Sequence, residues 1–322
     1  DLDRFFLYMG ASMSFTLKHL SYLVAAAEAG SVTGAARRLN VSQPSISAAI
    51  GQIEEQFGLT LFVRHHAQGL STTPAGRRLV VEARSLLAHA EELRLGALGL
   101  GDALAGELQV GCFVTFAPLI MPGLLRTFGD RYPEIRIRLH EEHLQGLVDG
   151  LRDGRFDCVL TYDLGLGPDL EFQELGEVPL HALLPDGHPL AAASTVSLAD
   201  LAGEPLILLG LPQSREYFLS IFYSQRLEPR IAHETPSFEM VRGLVANGYG
   251  CALMHSRPPS DLALDGRRLA YRPIREPVRP NRLGVARLAR ARPTRMAAAF
   301  AVFCAQSFSS TSHGTAEFTA PA

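Results

Sequence analysis

The stretch Gly30–Leu79, GSVTGAARRLNVSQPSISAAIGQIEEQFGLTLFVRHHAQGLSTTPAGRRL, decides the fold of the first third of the chain. Ser31 stands as N-cap to a short helix, Val32 to Leu39, whose Ala35-Ala36 pair lets a neighbouring helix approach closely. Asn40-Val41 makes a tight turn. Ser42 caps the next helix, in which Pro44 is tolerated in the first turn because its missing N–H has no partner to lose. That helix presents Ile46, Ile50 and Ile53 inward and ends near Phe57-Gly58. Upstream, Leu17, Leu20, Leu23, Val24 and Ala27 fall at three- and four-residue spacing, one face of a helix from Thr16 to Ala29 that stops at Gly30. Three short helices with a tight turn before the last make a helix-turn-helix. Downstream, a β-like run Leu59 to Arg64, a polar tip His65-His66-Ala67-Gln68-Gly69 and a return Leu70 to Thr73 read as a wing.

Thr73-Pro74 opens a longer helix with a stripe of Leu79, Ala83, Leu86, Leu87, Ala90 and Leu93. A lone long helix cannot bury such a stripe by itself, which predicts a second copy of the chain against it. The segment Gly96 to Gly106, GALGLGDALAG, reads as a linker. From Glu107 the texture changes to strands alternating with helices, which predicts a mainly parallel sheet. Expected elements are strands Leu108–Gly111, Ile135–Leu139 and Cys158–Thr161 with helices Ala117–Tyr132 and Leu144–Asp153. A second block has strands Ala182–Leu184, Pro205–Leu209 and Cys251–Met254 with helices near Glu216–Tyr223 and Phe238–Asn247. A strand Leu283–Ala286 and a helix Pro293–Phe303 follow, and residues 307–322 read as a disordered tail.

Composition bounds the function. The 322 residues are 47% apolar and 20% charged, material for two domains with an ordinary core. No apolar run reaches the roughly 18 residues a membrane helix needs. Phe5–Phe15 has the length of a secretory core, but its flank Asp1-Leu2-Asp3-Arg4 is net negative, so it reads as a tail, with Met9 or Met13 as candidate starts. Cys112, Cys158, Cys251 and Cys304 lie far apart with no C-x-x-C pair, a reduced intracellular set of small apolar residues. The net charge is −3, yet residues 14–78 hold six basic side chains against three acidic, leaving +3 there. That sign split suits a DNA-binding head on a more acidic remainder. Catalytic and phosphate-binding signatures such as G-x-S-x-G, a P-loop or H-E-x-x-H do not occur. The cluster His140-Glu141-Glu142-His143 straddles a strand-to-helix junction at a spacing unsuited to one ligand face, so neither metal nor cofactor is expected.

Leu17–Leu79 resembles the DNA-binding half of LysR-type transcriptional regulators. The match is carried by AARRLNVSQPSIS, by Ile53-Glu54 with Gly58-Leu59, by Leu61-Phe62 and by Thr73-Pro74-Ala75-Gly76. Residues 107–136 look like the start of the family's effector domain. Leu183-Leu184-Pro185, His188-Pro189-Leu190 and VANGYGCAL at Val245–Leu253 look like later landmarks. The resemblance, spanning about 14–306, implies an N-terminal winged helix-turn-helix (14–73) and a linker and dimerisation helix with hinge (74–105). A two-lobed, periplasmic-binding-protein-like α/β effector domain (106–306) would follow, lobe I at about 106–177 and 288–306, lobe II at about 178–287. Residues 1–13 and 307–322 are left as tails. It implies a cytoplasmic, non-enzymatic regulator that works as a homodimer or homotetramer on double-stranded promoter DNA, responds to a small organic, anionic effector, and has RNA polymerase as a candidate partner. The alternative is a small-molecule-binding protein without a DNA role, such as an exported solute-binding protein, which leaves the first 90 residues unexplained.

In a helix-turn-helix the second helix enters the major groove, so Ser42, Gln43, Pro44, Ser45 and Ser47, with Gln52 a turn further on, are candidates for base edges. Thr33, Arg37, Arg64 and His65, with His66 beside it, are candidates for phosphates. Capping is the plainer role for Ser42 and a solvated loop for His65. Members of the family usually carry Arg after the serine of this helix, where Ala48-Ala49 follow Ser47 here, and Gly51 replaces a charged residue. In the effector half, Thr115 and Phe116 follow the first strand at the entry to a helix, where free N–H groups favour an anion. Tyr162 and Ser214 would line the facing wall and Arg215 would supply the counter-charge, with capping for Thr115 and a surface ion pair for Arg215 as the plainer alternatives.

Overall fold

The computed structural model describes residues 15–65, 69–95 and 104–309. The chain divides into two compact units: Asp1–Leu104 with Gly150–Asp157 and Arg290–Arg295, and Ala105–Asp149 with Cys158–Ala289 and Met296–Ala322.

The first unit begins with α1 (Leu17–Ala29), α2 (Val32–Leu39) and α3 (Gln43–Phe57). Each start is held by a side chain that satisfies an orphan N–H of the first turn. Thr16 accepts from the N–H of His19 at 3.2 Å, Ser31 from Gly34 at 3.0 Å and Ser42 from Ser45 at 3.3 Å. Each end turns left-handed, at Gly30, Asn40 and Gly58 with φ of 58°, 58° and 62°. The three helices close on Leu23, Ala26, Ala35, Ile46, Ile50 and Ile53, all buried. The wing is an antiparallel pair, β1 (Phe62–His65) and β2 (Gly69–Thr72), a little shorter than the sequence suggests. Its tip, including His66, lies outside the described residues.

The long helix α4 (Pro74–Leu95) follows, about 33 Å from end to end. Thr73 caps it, accepting from the N–H of Gly76 at 3.0 Å. Leu86 and Leu93 on its expected stripe stay exposed in the single chain. The predicted linker, Gly96 to Gly106, and residues 1–13 fall largely or wholly outside the described residues.

The second unit holds two lobes. In the first, a five-stranded sheet runs in the order β4-β3-β5-β12-β6, from β3 (Gly106–Phe113), β4 (Ile135–Glu142), β5 (Cys158–Tyr162), β6 (Leu170–Val178) and β12 (Asn281–Leu288). Helices α5 (Ala117–Arg131) and α10 (Arg295–Ser309) meet through Phe128, whose ring lies edge-on to Phe300 and Phe303 at 5.2 and 5.3 Å. The short α6 (Leu144–Arg152) links β4 to β5. The second lobe has a three-stranded sheet, β10-β7-β11, from β7 (His181–Pro185), β10 (Ala252–Met254) and β11 (Leu269–Pro273). A parallel pair, β8 (Pro205–Leu209) and β9 (Arg230–Thr235), joins it through a bridge between Leu206 and Cys251. Helices α7 (Leu198–Ala202), α8 (Ser214–Ser224) and α9 (Phe238–Ala246) complete it.

Three expectations need correction. The sheets are mixed: β3 is parallel to β4 and β5, but β12 is antiparallel to both β5 and β6, and β7 to both β10 and β11. The return to the first lobe comes at Asn281 and not at 288, because β12 pairs along its whole length in the five-stranded sheet. The final helix runs to Ser309, so residues 307–309 are helix rather than tail. Ser307 donates to the carbonyl of Phe303 at 2.9 Å.

Candidate functional sites: a nucleic-acid interface and a ligand cleft

The buried row Ile46, Ile50 and Ile53 fixes the rotation of α3, turning the opposite face to solvent. Gln43, Pro44, Ser45 and Gln52 are exposed there and Ser47 half-buried. Ser42 is exposed and does cap the helix, and its Oγ also lies 2.8 Å from that of Ser45. Gln43 donates from Nε2 to Thr33 Oγ1 at 2.7 Å, joining the starts of α2 and α3. One N–H and the carbonyl oxygen of Gln43 remain for a base edge. Arg37 and Arg64 are exposed, while neighbouring Arg38 is held by Glu28, which also binds Arg84 at 2.6 Å. His65 meets Ser71 Oγ at 2.7 Å across the wing. Sequence reasoning missed Glu54, whose carboxylate accepts from the N–H groups of Leu61 and Phe62 at 2.7 and 3.3 Å and ties the wing to α3.

In the second unit a narrow cavity opens between the lobes. The first lobe supplies Phe113 and Thr115 at the end of β3, Tyr162 at the end of β5 and Asn281 at the start of β12. From the second lobe come Ser214, Tyr217 and Phe218 on α8, Phe238 on α9, Met254 at the end of β10, and His255 and Ser256 just after it. Strand ends and helix starts therefore converge, the usual place for a ligand in α/β sheets. Phe113, Phe116 and Tyr162 pack edge to face at 5.1–5.7 Å, with Phe116 fully buried behind the wall rather than lining it. Tyr162 and Ser256 bridge the lobes, their oxygens 3.3 Å apart. A wider depression beside the cavity shares Thr115 and Phe238 and adds Glu141, Ser237 and Glu239.

Thr115, Ser214 and Asn281 are 5%, 5% and 4% exposed, and their side chains make no hydrogen bond among the described residues. Both helices that start at the cavity, α5 and α8, lack a side-chain cap. The α8 cap position, Gln213, holds a positive φ of 65°, costly for a residue with a Cβ. Its Nε2 donates to Gln145 Oε1 at 2.9 Å, a second link between lobes.

His255 is buried against Tyr217 and Phe218, with ring centroids 5.5 and 6.1 Å away. Burial holds its imidazole down at about 4. Burial also pushes the Tyr217 hydroxyl up to about 12, with Asp163 adding to the rise.

Of the predicted effector residues, Thr115, Tyr162 and Ser214 meet at this cavity. Arg215 does not join them. Its guanidinium turns outward to Glu234 at 3.1 Å, the plainer of its two readings, and no Lys or Arg side chain lines the cavity. Tyr217, His255, Ser256 and Asn281 were not anticipated, although a lone His and Ser ending the apolar strand run CALM was a usable signal. All four cysteines are buried, and burial pushes the thiols of Cys251 and Cys304 up to about 12, which leaves little reactive thiolate. His140 pairs with Gln109 at 2.9 Å and His143 accepts from the N–H of Gly146 at 3.0 Å; among the described residues no cluster of ligating side chains is placed to hold a metal.

Two family models match the chain: the lysR-family bacterial regulatory helix-turn-helix protein at residues 17–77, and the LysR substrate binding domain at residues 101–309. The chain is 32% identical over 247 residues to the uncharacterized HTH-type transcriptional regulator YnfL of Escherichia coli, covering 75% of this chain and 82% of that one. It is 30% identical over 266 residues to the DNA-binding transcriptional dual regulator OxyR of E. coli, covering 81% and 85%. A crystal structure of a LysR family regulator from Pseudomonas aeruginosa, the PA01 protein, shares 42% identity over 91% of this chain and 99% of its own, with a TM-score of 0.62. The fold thus defines a helix-turn-helix protein with an effector-binding domain. The chain belongs to the LysR family of transcriptional regulators. Among the described residues, no helix is long and apolar enough to cross a membrane.

Proposed function

We propose that the chain is a cytoplasmic homo-oligomer, dimer or tetramer, that reads promoter DNA with the first turns of α3. In this reading Gln43, Pro44, Ser45, Ser47 and Gln52 face base edges, and Ser42 caps the helix and reaches the same groove. Thr33, Arg37, Arg64 and His65 hold phosphates. The observation that carries the reading is the exposed row on α3 opposite its buried isoleucines, with Arg37 and Arg64 flanking it and unengaged by any carboxylate among the described residues. A second copy of α4 would cover Leu86 and Leu93. The domain limits 14–73, 74–105 and 106–306 stand as proposals, with the lobe boundary moved to Asn281 and the C-terminal limit to Ser309.

The effector, a small organic molecule, enters the cavity between lobes and meets Thr115, Tyr162 and Ser214, with Phe116 supporting the wall. The uncapped starts of α5 and α8 suit an acceptor group on it, a carboxylate included. With Arg215 occupied elsewhere, such a group relies on N–H and hydroxyl donors alone. The ligand acts by binding one arrangement of the heads better than another, without turnover. RNA polymerase is the partner through which a DNA-bound regulator would act on transcription.

Fluorescence anisotropy on the DNA upstream of its own gene and on a scrambled control, across a salt series, tests the proposal. Tight binding to the upstream fragment with a steep salt slope supports it. Equal, weak binding to both fragments refutes sequence-specific reading by α3.

A further inference from the structure

The hydrogen-bond polarity of the cavity wall is fixed by the backbone behind it. His255 Nδ1 lies 3.0 Å from the carbonyl oxygen of Val178 and 3.2 Å from that of Pro179. Carbonyl oxygens only accept, so Nδ1 carries the proton. A neutral imidazole has one proton, which leaves Nε2 as an acceptor. Tyr217 Oη sits 2.8 Å from Nε2 and must donate to it. The hydroxyl proton of Tyr217 is thereby committed, and its oxygen offers only lone pairs to the cavity it lines. The imidazole stays neutral near pH 7 because burial disfavours its charge, so the polarity does not invert in that range.

From this relay we infer that the cleft selects a small ring compound bearing an O–H or N–H donor, which it places on Tyr217 Oη, with His255 as the positioning residue that sets the direction. The inference rests on the cavity being the effector site. Phe113, Tyr162, Phe218 and Phe238 supply the faces and edges against which a ring packs. Thr115, Ser214 and Asn281, each more than nine-tenths buried and without a side-chain partner among the described residues, take the ligand's remaining polar atoms. A polar ring without a donor leaves the Tyr217 lone pairs desolvated and unpaired, and that cost is the source of discrimination.

Phenol and anisole, the same ring with and without the donor, are titrated calorimetrically into the full chain, the Tyr217→Phe variant and Ser214→Leu, which fills the cavity. Phenol binds the parent about three- to tenfold more tightly than anisole. The preference vanishes in Tyr217→Phe while anisole's affinity is retained, and both ligands are lost in Ser214→Leu. Equal binding of the two by the parent, or an unchanged preference in Tyr217→Phe, overturns the inference alone. Binding that survives Ser214→Leu, or no heat from either ring, refutes the cavity as the effector site. If Tyr217→Phe fails to fold, nitrogen-15 shifts of the His255 ring decide the polarity: an Nδ1–H tautomer supports it and an Nε2–H tautomer overturns it.

Discussion

Gly76 lies in the first turn of α4, where the helix crosses the wing, and an added methyl there has nowhere to go. A Cβ at this position would sit 2.0 Å from the carbonyl oxygen of Leu61, 2.9 Å from its carbon and 3.2 Å from its Cα. All three are backbone atoms, so no rotamer change relieves the clash. Leu61 is itself pinned: its N–H donates to Glu54 at 2.7 Å, its carbonyl accepts from Thr73 at 2.9 Å, and its side chain is fully buried. Relief demands a shift of about 1 Å by α4 or the wing. Overpacking of this kind costs about 1–3 kcal/mol, and losing the Thr73–Leu61 hydrogen bond adds about 1 kcal/mol. At roughly 4–8 °C per kcal/mol for a domain of this size, Gly76→Ala should lower the melting transition of the DNA-binding unit by at least roughly 10 °C. Thermal unfolding followed by circular dichroism, with anisotropy on DNA alongside, reads both consequences. A variant that melts within roughly 3 °C of the parent and binds DNA unchanged would show that this close approach does not set the geometry of the head.

Gly51 is the counter-case: a Cβ there meets nothing within 4 Å and the position is exposed, so Gly51→Ala should stabilise the same unit by about 0.5–1 kcal/mol, read as a higher denaturation midpoint. Gln43→Ala should cost about 1–3 kcal/mol of discrimination at one base pair, whereas Arg37→Ala should weaken all sequences alike and lower the salt slope by about 1, both measured by anisotropy. Because the folded imidazole of His255 is held at about 4 against an ordinary 6.5, the unfolded chain binds the extra proton between those values. This contribution is therefore present above pH 6.5 and falls away by about 3 kcal/mol as pH drops to 4. Denaturant unfolding at pH 7 and pH 5 should show that slope reduced in His255→Gln. Replacing Leu86 and Leu93 together with Glu should leave a smaller species on analytical ultracentrifugation if a second α4 covers them.

The DNA-binding head was legible in the sequence because its signals are local. Ser31, Ser42, Pro44 and the turn residues Gly30, Asn40 and Gly58 punctuate helices whose isoleucines repeat at helical spacing. Two of the strands that escaped notice, β6 and β9, lack such a pattern. In β9 nearly every residue is exposed, so no alternation marks it, and β6 carries Glu and Gln along one open edge. The antiparallel pairing of β12 could not be read from its own residues, since direction is a property of the strands it joins. The same holds for the cleft. Thr115 and Ser214 could be placed from helix starts, but Tyr162 meets Ser256 and Tyr217 meets His255 across 94 and 38 residues, distances over which sequence spacing carries no information. Arg215 was misplaced for a related reason, since Glu234, which captures it, arrives on a separate element, β9.

The position of β12 also governs how the chain can assemble as it is made. It lies between β5 and β6, which are neighbours in sequence but not in the sheet. When β6 leaves the ribosome, its partner is still about a hundred residues away, behind the whole of the second lobe. Until Asn281–Leu288 emerges, β5 has a bare edge and β6 has no strand beside it, a template for pairing with another chain. Loop closure over that separation makes the last step slow. The first lobe is thus completed only about a hundred residues after β6 has been made, and the interval between is when the nascent protein is most exposed to aggregation.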